Sequence, residues 1–246
     1  YDLMPSLVGS EMCIRDRSVG VGPTAMRVLA IDTATEACSA AYADDDQIIE
    51  RFQIDPKGHS EHILPMVESV LSEAGVLRAD LEAITFDSGP GSFTGIRIGA
   101  GVAQGIALGL DLPLVAVSSL MGLAQGISRV VEGCTAVLPA IDARMGQVYW
   151  ACLVRDPQEV TGWRWQQMPQ VTDPEAVDGP GIEEIGVGSG WDCYSEILCR
   201  NRPIIWHPDR YPSARDLIEI AQRLLCADSA IPSTAELTYI RNKVTG

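Results

Sequence analysis

The histidines are the first side chains to consider for metal chemistry, because imidazole is a common ligand of transition metals. The chain has three of them, His59, His62 and His207. His59 and His62 are three residues apart and could share one face of a helix, but no third ligand accompanies them at a metal-binding spacing. We therefore predict no metal site, and we expect these two side chains to be solvated at the start of a helix.

Nucleophilic catalysis by serine also lacks its required spacing. A nucleophile elbow places a glycine two residues before the serine and another two residues after it. Pro90 and Thr94 occupy those positions around Ser92, and Val187 stands two residues before Ser189. These sequences argue against a serine hydrolase, and we predict no catalytic residue in the chain.

The seven cysteines are scattered, and no two of them form a CxxC pair. An odd number without paired spacing fits neither a zinc site nor a disulfide framework. We expect buried free thiols in a reducing cytoplasm. A hydrolase that uses Ser92 or a cysteine stays open as the least favoured interpretation. The cysteines are Cys13, Cys38, Cys134, Cys152, Cys193, Cys199 and Cys226.

Two aspartates, Asp32 and Asp142, each end a predicted strand and precede a short loop. In two-lobed α/β folds that bind nucleotides, such acids face a cleft, and backbone N–H groups of the loops contact phosphate. The first loop has Ala34 where close approach to a phosphate needs glycine, so nucleotide binding by the chain alone stays open. The candidate cleft-facing residues are Asp32, Thr33, Ser92, Thr94, Asp142 and Arg144.

The elements that position these residues occur twice along the chain. Each half has three short strand-like runs and a later strand that enters a glycine turn. This order predicts an α/β protein with a duplicated fold of the actin and RNase H kind, in two subdomains with mixed sheets. The predicted strands are 28–32, 38–43, 47–53 and 83–86 in the first half, and 137–142, 147–154, 163–171 and 184–187 in the second.

Helical patterns cover residues 62–74 and 214–225. We expect Pro65 in the first turn of the earlier helix, because deeper in the helix it would cause a kink. The expected subdomains are 26–126 and 127–212, with a C-terminal helix and tail, 213–246, that packs back on the first subdomain. Residues 1–25 lack periodicity, and 5–16 resemble translated sequencing adaptor. We expect a non-native leader before Met26, with a natural flexible tail as the alternative.

The composition describes an acidic globular protein. The 246 residues carry a formal charge of −15, and 46% of them are hydrophobic. An isoelectric point near 4.5 argues against unaided nucleic-acid binding, which depends on clustered lysine and arginine. The most apolar stretch, residues 98–110, is shorter than the roughly 20 residues that span a bilayer. We predict that the chain is not a membrane protein.

The glycine-rich segment 89–109 starts as a turn and continues as a helix, with Ser92 as the expected N-cap. Each interior glycine costs about 1 kcal/mol relative to alanine, so close backbone approach must offset the loss. The small residues form two stripes, one for this chain's own sheet and one for a neighbour, which could be internal or external. The stripes are Gly95, Gly99 and Ala103, and Gly101, Gly105 and Gly109.

The segment 89–99, GPGSFTGIRIG, resembles the signature of the TsaB family, also called YeaZ. Supporting matches are AIDTATEACS at 30–39, ILPM at 63–66, AIDARMGQVYW at 140–150 and YIRN at 239–242. The resemblance covers Met26 to about Val244. One departure is Asp87-Ser88, where the family commonly has Gly-Arg, and this puts an anion-binding role of that turn in doubt.

The resemblance implies an actin-like cytoplasmic protein without catalysis of its own. It implies an accessory subunit that activates the catalytic paralogue TsaD and works with the ATPase TsaE. The reaction is threonylcarbamoyl transfer to adenosine 37 of ANN-decoding tRNAs. We expect no cofactor on this chain, ATP use by the assembled complex, and tRNA bound mainly through that complex. A stand-alone ATP-dependent phosphotransferase of the actin-like fold is the alternative.

The resemblance also implies that two helices, about 62–74 and 94–109, contact the catalytic paralogue. An exposed patch of small and apolar residues would seek cover, so we expect a homodimer through the same helices when the chain is alone. The candidate interface residues are Ile63, Met66, Val67, Val70, Gly95, Gly99 and Ala103.

Overall fold

The structure is a computed structural model that describes residues 26–179, 181, 183–200, 204–227, 237, 238 and 240. The expected leader, residues 1–25, lies outside the described residues. The described chain forms two five-stranded mixed sheets with helices packed on them.

The first sheet has the order β3-β2-β1-β4-β5. Its first three strands are antiparallel neighbours, whereas β4 and β5 run parallel to β1. Helix α1 joins β3 to β4, α2 joins β4 to β5, and α3 follows β5. The elements are β1 (Val28–Asp32), β2 (Ala37–Ala43), β3 (Ile48–Ile54), α1 (His59–Ala74), β4 (Ala83–Asp87), α2 (Phe93–Leu110), β5 (Leu114–Val117) and α3 (Ser119–Ser128).

The second sheet repeats this arrangement in the order β10-β9-β6-β7-β8, in which β6 takes the place of β1. Again three antiparallel strands are followed by two strands parallel to the central one. The shared order confirms the predicted duplicated α/β fold. The elements are β6 (Ala136–Asp142), β7 (Val148–Arg155), β8 (Trp163–Thr172), β9 (Ile185–Val187), α4 (Ser189–Leu198), β10 (Ile205–His207) and α5 (Ala214–Cys226), with short 3-10 helices at Arg78–Asp80 and Pro174–Ala176.

Helix α1 starts three residues before the predicted start. Gly58 precedes its first residue, and Gly75 ends the helix in the left-handed conformation with φ 69°. Pro65 therefore lies inside the helix, and the expectation that it lies in the first turn is wrong. The ring of Pro65 is exposed, so it takes no part in the packing of α1 on the sheet.

Both faces of the first sheet are covered by helices. Leu29 and Ile31 of β1 point to the side of α1 and α2, whereas Val28 and Ala30 point to the side of α5. Helix α5 contacts β1, β2, β4 and β5, although it follows the second sheet in the chain. Its first residue is fixed there, because the backbone N–H of Ala214 donates to Ser39 Oγ at 2.9 Å. The last described helix thus completes the core of the first subdomain.

Helix α2 is long and apolar enough to cross a membrane by length and composition alone, a test that core helices of soluble proteins also pass. Its buried positions include Ile96, Ala100 and Ala107, which pack toward the first sheet. In this structure α2 is therefore an integral element of the first subdomain.

The cysteines of the described residues are free thiols, but they are not all buried. Cys38, Cys134 and Cys152 are buried, whereas Cys193 in the middle of α4 and Cys226 at the end of α5 are exposed. The expectation of uniformly buried thiols is wrong for these two. Cys13 lies outside the described residues.

Candidate functional site

A cleft with a cavity of about 340 Å³ opens between the two subdomains. Its walls come from the β1–β2 loop, the turn from β4 into α2 and the β6–β7 loop, so equivalent turns of the two halves face each other. The C-terminal segment closes one side with Thr238 and Ile240. The backbone N–H of Thr238 donates to the carbonyl of Ser88 at 2.8 Å, which holds this segment against the glycine turn.

Three of the six candidate cleft residues line this cavity, namely Ser92, Asp142 and Arg144. Thr94 is exposed in the first turn of α2 but is not part of the lining. Asp32 and Thr33 are buried at 0% and 1% exposure, so the expectation that they face the cleft is wrong. Alternation along β1 turns Asp32 to the side of α5, the same side as Val28 and Ala30.

Arg144 is engaged by acids on both sides of the cleft. Its guanidinium lies 2.8 Å from Glu36 Oε1 in the first subdomain and 3.1 Å from Asp142 Oδ2 in the second. Arg144 and Met145 both have left-handed backbone, with φ of 61° and 58°. Among the described residues of the cleft lining, one arginine is shared by two carboxylates, and this acidic balance disfavours a nucleotide triphosphate as a ligand.

Ser92 has a structural partner in the described chain. Its hydroxyl accepts the backbone N–H of Gly95 at 3.3 Å, as predicted for an N-cap, and its own N–H donates to Ala34 O at 2.7 Å. Ser189 similarly accepts the N–H of Asp142 at 3.1 Å. Both hydroxyls therefore hold loops in place, and neither has a base as its recorded partner.

The histidines do not converge. His59 is 4% exposed and lies 2.9 Å from Thr35 O, so the expectation that it is solvated is wrong. His62 pairs with Asp55 at 3.0 Å, and His207 lies in β10 of the other sheet. Among the described residues there is no group of three potential metal ligands.

The first glycine stripe of α2 contacts this chain's own β1–β2 loop. A Cβ on Gly95 would lie 2.1 Å from the carbonyl oxygen of Thr33, and one on Gly99 would lie 2.5 Å from Thr33 Oγ1. Thr33 Oγ1 also donates to the carbonyl of Gly95 at 2.7 Å. Ala103 of the same stripe is fully buried. This stripe therefore serves internal packing, and the prediction that it belongs to an external interface is wrong.

The four predicted interface side chains of α1 are buried as well. Each is at most 9% exposed, and all belong to the core cluster with Leu29 and Ile31. Their helical spacing marks the side of α1 that packs on the first sheet, so they cannot contact a partner without unfolding. These residues are Ile63, Met66, Val67 and Val70.

The second glycine stripe has the opposite environment. Gly101, Gly105 and Gly109 are exposed, and a Cβ on any of them would meet nothing within 4 Å. Leu108 on the same face is 82% exposed. We call this surface the outer face of α2. It consists of Phe93, Arg97, Gly101, Gln104, Gly105, Leu108 and Gly109.

Helix α1 extends this surface, because α1 and α2 are in contact. Its exposed side carries Leu64 at 51% exposure beside Pro65. Within α2 the sole formally charged side chain is Arg97, and it stacks 3.6 Å from the centroid of the Phe93 ring. Along α2 the exposed surface is thus mostly apolar and nearly flat because glycines have no side chains, whereas α1 adds Leu64 and Pro65 among acidic side chains such as Glu61 and Glu68.

Sequence reasoning missed the environment of Asp87. This aspartate ends β4, is 2% exposed, and lies beside Asp32 at the end of the adjacent parallel strand. The sequence feature that could have indicated a buried Asp87 is its position directly after the mostly apolar run Ala83-Ile84-Thr85-Phe86. For Arg144 the sequence left open an anion or an acid of this chain as its partner, and it did not identify Glu36. The cleft wall formed by the C-terminal segment was not predicted. Arg241 lies outside the described residues.

Comparisons with known proteins find similarity to proteins named for tRNA threonylcarbamoyladenosine formation. A family model described as tRNA N6-adenosine threonylcarbamoyltransferase, TsaD, matches residues 53–162. The tRNA threonylcarbamoyladenosine biosynthesis protein TsaB of Escherichia coli K12 is 41% identical over 230 residues, covering 89% of this chain and 96% of that protein. TsaB of Haemophilus influenzae is 35% identical over 228 residues, covering 89% and 95%. YeaZ from Pseudomonas aeruginosa superposes with a TM-score of 0.80 at 37% identity, covering 87% of this chain and 99% of that one.

Proposed function

Because this chain belongs to the TsaB family of tRNA threonylcarbamoyladenosine biosynthesis proteins, we propose that it is a non-catalytic partner subunit in this modification. In the proposal it binds and activates a TsaD-like catalytic paralogue and works with a TsaE-like ATPase in the cytoplasm. The complex transfers a threonylcarbamoyl group to adenosine 37 of ANN-decoding tRNAs. ATP is used by the assembled complex, and the chain holds no cofactor of its own.

The outer face of α2 is the observation that carries this proposal. An 18-residue helix with a third of its residues buried leaves a glycine stripe and Leu108 uncovered. Exposed apolar surface of this kind on a folded chain indicates a contact site for another protein. The open glycines allow a partner helix to approach the backbone of α2 closely, in the manner that small residues allow in other helix pairs.

The state of the cleft supports a non-catalytic subunit. Arg144 is shared by Glu36 and Asp142, and Ser92 caps α2. The alternative, a stand-alone phosphotransferase, needs cationic groups for the phosphates, and Arg144, the arginine that the described residues contribute to the cleft lining, is already paired. Isothermal calorimetry separates the two functions, since tight Mg-ATP binding by the lone chain would favour the alternative.

The arginines support indirect tRNA binding. Seven of the arginines that the structure describes form ion pairs with acids of this same chain. Phosphate recognition requires cations that are free to release counterions from the nucleic acid, and the chain as a whole carries −15. We therefore assign the main tRNA contacts to the other subunits of the complex.

The proposal is tested with Gly105→Leu in the outer face of α2. A leucine there has free space in the lone chain and should leave its folding intact, but it fills the space that a partner backbone would occupy. We expect at least a tenfold weaker affinity for the catalytic paralogue in calorimetry and a matching loss of threonylcarbamoyl transfer.

Two control variants accompany this test. Gly105→Ala adds one small group to the same site and should keep most of the binding. Glu196→Leu adds equal apolar bulk to an exposed position of α4 in the second subdomain and should bind normally. Full affinity and activity of Gly105→Leu would contradict the assignment of this face, and transfer activity of the lone chain would contradict the non-catalytic role.

A further inference from the structure

Asp32 and Asp87 form a buried pair of carboxyl groups at the ends of two adjacent parallel strands. Ile31 of β1 is opposite Phe86 of β4, so the next residue of each strand lies beside the other. Both aspartates point to the α5 side of the sheet, and they are 0% and 2% exposed. Two carboxyl groups are therefore placed side by side without access to solvent.

The two carboxyl groups have different partners. Asp87 Oδ1 accepts the backbone N–H of Gly89 at 2.7 Å and the hydroxyl of Ser119 at 2.5 Å. Asp32 Oδ1 accepts one donor, the N–H of Ala34 at 2.9 Å. Among the described residues, no other group donates to Oδ2 of either aspartate. A hydrogen bond between the two adjacent carboxyl groups would satisfy both of these buried atoms.

A hydrogen bond between two carboxyl groups requires a proton on one of them. Two buried anions in contact would repel strongly and would leave both Oδ2 atoms unsatisfied. Asp87 is the better anion, because it accepts two donors besides Asp32. Asp32 accepts only one, so the proton belongs on Asp32.

We propose that Asp32 is protonated and donates to Asp87 Oδ2, and that this shared proton fixes the start of α2. Each aspartate also holds one of the two segments that meet at α2. Asp32 holds Ala34, whose carbonyl accepts the N–H of Ser92, and Asp87 holds Gly89 at the turn that leads into the helix. The inference stands on these contacts and does not depend on the proposed partner.

The surroundings favour retention of the proton. Burial is the main cause that raises the pKa of Asp32 well above its ordinary value, followed by the adjacent Asp87 and by the more distant Glu50 of β3. Burial raises the pKa of Asp87 to about 6. On β2, burial raises the pKa of Cys38 to about 12, so that thiol stays neutral.

The buried acid of α5 is paired with an arginine. Asp216 forms an ion pair with Arg129, which directly follows α3, and burial raises the pKa of Asp216 to about 6. From α3, the hydroxyl of Ser119 donates to Asp87 of the pair. At the start of α5, the backbone N–H of Ala214 already donates to Ser39 Oγ. No cation of the described residues is recorded as a partner of either carboxyl.

The raised pKa values set the direction of the pH dependence. An aspartate in the unfolded chain has a pKa of about 3.9. Between that pH and the raised pKa values of the folded state, the native chain binds more protons than the unfolded chain. The stabilisation is present at low pH and is lost as the pH rises through the folded pKa values. Because the pKa of Asp216 is also raised, this residue likewise makes the stability fall as the pH rises.

Asp32→Asn is the decisive variant, because its amide can donate to Asp87 Oδ2 as the protonated acid does. We measure the urea midpoint of the full chain between pH 5 and pH 8. The wild-type midpoint should fall with rising pH, and the Asn variant should fold and show a clearly shallower fall, with the remaining slope due to Asp216 and Asp87. Asp32→Ala lacks the donor and should be less stable than Asp32→Asn at pH 5 and at pH 8.

Infrared difference spectra give an independent measurement. At pH 7.5 the wild type should show the carbonyl band of a protonated carboxylic acid, and Asp32→Asn should lose it. Failure of Asp32→Asn to fold, an unchanged slope, or the absence of the band would each overturn the proposal. Stabilisation of the wild type by Mg²⁺ or Na⁺ at pH 8 that Asp32→Asn abolishes would also overturn it, since a cation would then occupy the place of the proton.

Discussion

At the scale of single residues, identical glycines of α2 have opposite consequences because their surroundings differ. Gly95 lies against the carbonyl of Thr33, and its missing Cβ permits that approach. Gly105 meets nothing, so its missing side chain gives the isolated chain no packing advantage. In the lone chain a glycine at that position makes the helix less stable than an alanine would. The glycine has a use if another molecule approaches this surface closely.

This difference predicts opposite effects of the same substitution. Gly95→Ala should lower the free energy of unfolding by about 1–3 kcal/mol, because the added methyl group meets backbone that cannot turn away. Gly105→Ala should raise it by about 0.5–1 kcal/mol through helix propensity. Urea denaturation of both variants measures these changes. Equal effects at the two positions would show that the assignment of a buried and an exposed face to α2 is wrong.

At the scale of elements, α1 and α2 each have one side in the core and one side in solvent. Val70 lies in the core cluster, whereas Leu64 of the same helix is 51% exposed. Apolar residues therefore occur on both sides of α1, with a different consequence on each. The core side holds the helix on the sheet, and the exposed side continues the outer face of α2.

The two sides of α1 predict a separation of folding from partner binding. Leu64→Asp should leave the free energy of unfolding within about 0.5 kcal/mol of the wild type, as expected for a surface position. It should nevertheless weaken binding of the catalytic paralogue. Val70→Asp should cost more than about 3 kcal/mol, because it buries an unpaired charge. Denaturation and calorimetry on both variants test this, and normal paralogue binding by Leu64→Asp would remove α1 from the interface.

The same elements show how much the sequence could predict. Eight of the ten strands, the duplication, the Ser92 cap and the existence of two glycine stripes were predictable, because periodicity and capping are local. The short strands β5 and β10 and the helices α3 and α4 were not predicted. The orientation of Asp32 was not, since every residue of β1 is buried and alternation gives no signal in such a strand. The apolar residues of α1 were assigned to a partner interface, although their helical spacing marked the side that packs in the core. The reason is that the resemblance implied which helices contact the partner but not which of their faces do.

At the scale of the whole molecule, two features restrict what the chain does alone. Seven of the arginines in the described residues are paired with acids of this same chain, whose formal charge is −15. The outer face of α2 interrupts this charged exterior. An acidic molecule with such an apolar strip is suited to a protein partner more than to tRNA.

The uncovered strip leads us to propose a homodimer when the catalytic paralogue is absent. Multi-angle light scattering at increasing concentration should show a mass that rises from one chain to two. Gly105→Leu should shift this transition to higher concentration, and an equimolar amount of the paralogue should replace the homodimer by a heterodimer. A strictly monomeric wild type at high concentration would contradict this expectation.

The position of α5 has a consequence for the order in which the molecule can be completed during synthesis. The residues of β1 and β4 that α5 covers, among them Val28, Ala30 and Ala83, emerge from the ribosome long before α5 itself. About 140 residues separate the end of β4 from the end of α5, which at about 5–20 residues per second leaves that face uncovered for roughly 7–30 s. Throughout that interval the nascent first subdomain is a natural client for a ribosome-associated chaperone.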